Sequence, residues 1–89
     1  MEGEEIKLTV KEAIISLFTL YKNGPLLLDE LYSELNNIGC NENLEIIDEV
    51  IKEMLDEYTL YMGKKKRIGL LNQFGLYKGT VSIKPQGYG

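Results

Sequence analysis

Apolar side chains recur at Val10, Ala13, Ile14, Leu17, Phe18 and Tyr21, the three-and-four spacing of a helix with one buried stripe. Thr9-Val10-Lys11-Glu12 has the form of a capping box, in which the threonine hydroxyl caps an early amide and the glutamate reaches back. A first helix is therefore predicted from Thr9, with residues 1–8 as an N-terminal extension. Asn23-Gly24-Pro25 is expected to close it, since glycine accepts a left-handed turn and proline cannot continue the helix. Leu26 to Leu28 is apolar but too brief for an independent element. Asp29 and Glu30 suit the first turn of a second helix, where acids complement the positive end of the dipole. Leu31, Tyr32, Leu35 and Ile38 supply its buried face. Asn36 to Asn41 reads as a turn of residues that tolerate positive φ. A third helix is predicted from about Asn43 to Glu57, with Leu44, Ile47, Ile51, Met54, Leu55 and Tyr58 on one face. Tyr21, Tyr32 and Tyr58 are expected in the core with their hydroxyls reaching the surface.

The periodicity then changes. Thr59 to Met62 is β-favouring, Gly63 to Arg67 is a basic turn, and Ile68 to Leu71 can return as a second strand. Three helices followed by a hairpin is the order of a winged helix-turn-helix, so the expected class is α+β, with the domain at 9–71. Residues 72–75 read as a linker. Residues 76–84 alternate like a strand, which Pro85 onward would turn, giving a C-terminal extended tail at 76–89.

Charge sharpens this picture. All fourteen acids lie in residues 1–57 with only four lysines, a net charge of −10, whereas the six basic residues that follow have no acid among them, a net +6. The overall −4 conceals an anion-binding end on an acidic body. Histidine is absent, which excludes a Ser-His-Asp triad or a Cys-His pair. A zinc site would have only one cysteine and carboxylates to draw on, a poor donor set. Cys40 is the single cysteine, so no internal disulfide forms. With no basic residue nearby to lower its pKa, it is expected to be unreactive. The acidic start at Met1 to Glu5, the lone thiol and the want of any run approaching the roughly 20 apolar residues of a spanning helix together make the cytoplasm the expected compartment.

Lys78-Gly79-Thr80-Val81, followed after a short gap by Gly87-Tyr88-Gly89, resembles the opening of the first cold-shock domain in ribonuclease R-like exoribonucleases. Upstream, Gly24-Pro25-Leu26 leading into Asp29-Glu30-Leu31, then Met54-Leu55, then Lys65-Lys66-Arg67-Ile68-Gly69-Leu70 are similar to the winged-helix segment preceding those domains. The resemblance spans residues 10–89. It implies an N-terminal nucleic-acid-binding or regulatory domain that assists RNA engagement by a 3′-to-5′ exoribonuclease. It also implies that residues 76–89 are the first strand and turn of a truncated cold-shock domain, with the phenylalanine of the motif due after Gly89. The magnesium-holding catalytic domain of that family has no counterpart in these residues. No catalytic residue, metal ligand or cofactor is therefore expected here, and the hydrolase activity belongs to the parent enzyme.

Lys64, Lys65, Lys66 and Arg67, on the predicted hairpin tip, are the candidate phosphate contacts, since clustered cations bind a polyanion through counterion release without reading sequence. Lys78, Lys84 and Tyr88 would begin the stacking and phosphate surface of the cold-shock barrel that the resemblance implies. Third-helix residues Glu45, Asp48, Glu49, Glu53, Asp56 and Glu57 stand against Lys52 alone, so major-groove reading by that helix is disfavoured. The alternative is an acidic protein-interaction winged helix, similar to the one in the delta subunit of bacterial RNA polymerase, docking a basic partner on this helix. A monomer is expected.

Overall fold

A computed structural model describes residues 2–71. Three helices, α1 (Glu2–Thr19), α2 (Leu28–Asn37) and α3 (Leu44–Asp56), precede two antiparallel strands, β1 (Leu60–Met62) and β2 (Ile68–Leu70). The class is α+β: a three-helix body closed by a hairpin. The linker and tail expected at 72–89 lie outside the described residues. Among the described residues, no helix is long and apolar enough to cross a membrane.

The first helix begins at Glu2, seven residues before the predicted start. Thr9 is not a cap: its hydroxyl donates to the Glu5 carbonyl 3.0 Å away, one turn back inside the helix. The earlier start follows from Ile6, which is half-buried one turn before Val10 and extends the apolar stripe. Glu4 and Glu5 add acids near the positive helix end. At its other end α1 stops before Gly24. Lys22 takes the left-handed conformation instead, at φ 54°, and both the backbone and the side-chain amide of Asn23 donate to the Leu17 carbonyl. This turns Tyr21 outward, so it is exposed rather than in the core.

The other two helices end by the same device, in which the chain takes one left-handed residue and two amides reach back to free carbonyls. In α2 the left-handed residue is Gly39, at φ 92°, with Cys40 N–H donating to the Leu35 carbonyl. In α3 it is Tyr58, at φ 64°, with Thr59 N–H donating to the Met54 carbonyl. Tyr58 is consequently 71 % exposed, against the expectation of a core tyrosine. Leu44, at the first position of α3, is also exposed, because it precedes the turn at which that helix meets the body. At the start of α3 the Asn43 side chain accepts from Glu45 N–H at 2.7 Å. At the start of α2 the Glu30 carboxylate accepts from Leu27 N–H at 2.9 Å. Leu27 has no polar group to reciprocate, so this is half of a capping box.

The core is continuous. Val10, Ile14 and Leu17 of α1 meet Leu31 and Leu35 of α2 and Val50 and Met54 of α3, with Leu60 and Ile68 sealing the hairpin side; all are at most 1 % exposed. Leu26, in the segment too short to predict as an element, exchanges two backbone hydrogen bonds with Ile68, at 2.8 and 2.7 Å. It adds a one-residue rung, so β2 lies between Leu26 and β1. That rung fixes the hairpin against the start of α2, and the candidate interface is built on it.

Candidate nucleic-acid interface

The hairpin tip is a tight turn. Arg67 N–H donates to the Lys64 carbonyl at 3.2 Å and Gly63 N–H to the Arg67 carbonyl at 2.7 Å. Between them Lys65 and Lys66 both sit at φ 59°. Two consecutive positive φ values are the mark of a type I′ turn, which ordinarily carries Asn-Gly. Lys64, Lys65 and Lys66 are all exposed there. Arg67 is held differently: its guanidinium lies 3.2 Å from the Glu30 carboxylate and 3.3 Å from the Pro25 carbonyl. The arginine braces the hairpin against α2, while the three lysines face solvent.

Beside the turn runs an open groove of about 490 Å³ between the start of α2, one side of α3 and the hairpin. Leu27, Leu28, Ile51, Leu55, Met62 and Ile68 form its apolar surface. Lys65 and Lys66 of the turn and Lys52 of α3 share the lining, as do Asp29 and Asp48. Lys52 was not singled out from the sequence as a contact residue. A signal for it exists: Asp48, Ile51, Lys52 and Leu55 have the spacing of one helical stripe, and that stripe is the one facing the groove.

The acids of α3 divide between two faces. Lys7 of α1 pairs with Glu49 at 3.5 Å and Glu53 at 3.1 Å, and Lys11 pairs with Glu57 at 2.9 Å. Lysines four apart on α1 thus meet glutamates four apart on α3 and its C-terminal cap, Glu57, away from the groove. Glu53 and Glu49 raise the Lys7 pKa above its ordinary value despite some opposing desolvation. Three of the six acids expected on this helix surface are already engaged by cations of the chain itself. On the groove side, Asp48 accepts a hydrogen bond from the Tyr32 hydroxyl. Partial burial, with the Asp48 carboxylate adding to it, pushes the Tyr32 pKa up from 10.0 to about 12.

Cys40 is partly buried, and desolvation raises its thiol pKa, the environment of a sluggish nucleophile. Among the described residues, no group of three or more Asp, Glu or Cys side chains is gathered to hold a metal ion. Lys78, Lys84 and Tyr88 lie outside the described residues, so of the seven expected contact residues the structure brings Lys64, Lys65, Lys66 and Arg67 together. The chain matches no protein-family model, no curated protein and no solved structure.

Proposed function

We propose that the chain carries a winged helix-turn-helix whose wing, Lys64 to Lys66, grips single-stranded RNA through its phosphates. Its role is to help a ribonuclease R-like 3′-to-5′ exoribonuclease engage its substrate. The observation that carries this reading is the set of exposed tip lysines, two of which, Lys65 and Lys66, line one groove with Lys52. Three or four exposed ammonium groups, of which Lys52, Lys65 and Lys66 line one groove, favour a polyanion and imply no sequence preference. The acidity of α3 weighs less against this than the sequence suggested, because Glu49, Glu53 and Glu57 are paired to α1. The same pairing weakens the rival, a basic partner protein docked on α3. Hydrolysis and its magnesium belong to the catalytic domain of such an enzyme, outside these residues.

A salt titration with single-stranded RNA tests the reading. Each phosphate neutralised contributes roughly −0.7 to the slope of log affinity against log salt. Three or four contacts give about −2 to −3. Lys64→Ala, Lys65→Ala and Lys66→Ala combined should flatten the slope by about two units. Unchanged affinity and slope in that variant would leave the hairpin as a solvated turn and return the acidic helix to first place.

A further inference from the structure

From the groove beside the hairpin we infer that this protein takes one unstacked, amino-bearing nucleobase against Leu28, Ile51, Leu55 and Met62 while the adjoining phosphates rest on Lys52, Lys65 and Lys66. The inference rests on the reading of those lysines as phosphate contacts and adds a base subsite to it. Three features of the groove must be met by a single ligand: aliphatic side chains, the ammonium groups of Lys52, Lys65 and Lys66, and two carboxylates, Asp29 and Asp48, in the same lining. A nucleotide carries all three complements. Its base has an apolar face, as bases held between apolar side chains in enzyme pockets show. Its phosphate is the anion. Its exocyclic amine is a donor for a carboxylate, the pairing by which Asp or Glu reads the cytosine amine.

An acidic amphipathic peptide meets only two of these. Its carboxylates would suit the lysines, but its acidic and apolar side chains bring no amine donor to Asp29 and Asp48. Volume does not oppose the base, because a space of about 490 Å³ lies within the range of small-ligand pockets, roughly 300–1,000 Å³. Accessibility does not oppose it either. Leu28 is 39 % exposed and Met62 52 % exposed, an apolar surface left open beside charges that would gather a phosphate chain.

The test compares three single-stranded oligonucleotides of equal length and charge on the full 89-residue chain, by fluorescence anisotropy at low salt. One is oligocytidylate, one oligouridylate and one an abasic ribose-phosphate chain. Oligocytidylate should bind several-fold more tightly than the abasic chain, the order expected from burying part of one base face on aliphatic side chains. It should exceed oligouridylate by several-fold, the order of one hydrogen bond, because uracil offers no exocyclic amine. Met62→Ser and Leu28→Ser, both at exposed positions that leave the core intact, should bring oligocytidylate down to the abasic level and leave abasic binding unchanged. Equal binding of oligocytidylate and the abasic chain, with both variants silent, overturns the base subsite while the phosphate reading stands. Binding of neither, or indifference to the triple lysine variant, overturns both. Equal binding of cytidylate and uridylate overturns the carboxylate contact. A leucine- and glutamate-rich peptide that displaces oligocytidylate at lower concentration than the RNA itself would make the occupant a protein.

Discussion

The ring of Tyr61 lies over Gly69, its partner across the hairpin: a Cβ added at residue 69 would stand 2.6 Å from the Tyr61 hydroxyl oxygen and 2.7 Å from Cζ. Glycine is favoured there by a neighbour and not by its own backbone, since the ring covers a strand position that would otherwise be bare. The ring is the free end of a partly exposed side chain, 38 % accessible, so it can swing aside. Gly69→Ala should therefore cost only the cross-strand contact, about 0.5–1 kcal/mol. In that background Tyr61→Ala should add little, so the two effects should fall short of additivity when measured by urea denaturation. Full additivity would mean the ring keeps its place over the alanine.

Lys65 and Lys66 at φ 59° are held where glycine and asparagine sit more easily. The double substitution Lys65→Asn with Lys66→Gly keeps the turn and relieves the backbone. It should raise stability by about 1 kcal/mol, after allowance for the greater freedom of an unfolded glycine. Removing two phosphate contacts should also flatten the RNA salt slope by about 1.4. Stability and binding would thus move in opposite directions, which no general loosening of the fold can mimic. A variant less stable than the parent would show that the lysine side chains hold the turn.

Much of this architecture was legible in the chain, and the departures from it share a cause. The stripe of α2, the part of the α3 stripe from Ile47 to Leu55, the Asn43 start and the hairpin around Gly63 to Arg67 are local signals, and the structure has them in place. Thr9 misled because threonine is a good cap type, yet within a helix its hydroxyl can equally bond the carbonyl one turn back, as it does to Glu5. Tyr58 falls four residues after Met54, in phase with the stripe. It becomes the left-handed residue that ends α3, a role that sequence ordinarily marks with glycine. The Leu26–Ile68 rung joins residues 42 positions apart, and local periodicity carries no trace of it. At the candidate interface the tip lysines were visible as a run. The approach of Lys52 depends on how α3 packs, and a count of charges along that helix hid it among acids.

Tyr32 provides a pH signature. Its folded pKa stands near 12 against an ordinary 10.0, so the folded state favours the neutral phenol. Its contribution to stability is complete below pH 10 and is lost as pH rises through about 12. Tyr32→Phe removes that titration. Thermal unfolding followed from pH 8 to 12 should show the parent losing stability faster than Tyr32→Phe above pH 10, so that its small advantage at neutral pH shrinks and then reverses towards pH 12. Lysine titrations common to both proteins cancel in the difference. At neutral pH the substitution should cost about 0.5 kcal/mol, the low end for a hydrogen bond, because the accepting Asp48 is exposed. Parallel curves above pH 10 would mean that neither burial nor the Asp48 carboxylate raises the Tyr32 pKa.

Lys64 and Arg67 are both basic residues of the hairpin turn, and they should fail in different assays. Arg67 spends its guanidinium on Glu30 and the Pro25 carbonyl, bracing the hairpin to the start of α2. Both members of that ion pair are more than two-fifths exposed, so its coupling energy in a double-mutant cycle should lie at about 0.2–1 kcal/mol. Arg67→Ala should lower stability by about that amount and leave the RNA salt slope within a few tenths of the parent's. Lys64→Ala has no such tie to lose. It should leave the denaturation midpoint unchanged while flattening the slope by about 0.7, one phosphate's worth for a single strand. The decisive comparison is the pair of slopes measured on the same oligonucleotide. If Arg67→Ala flattens the slope as much as Lys64→Ala does, the arginine has left Glu30 for the phosphate. Glu30→Gln should then strengthen RNA binding by freeing it. If only Lys64→Ala acts, the bracing contact survives in the complex, and the groove beside it keeps its shape when RNA is bound.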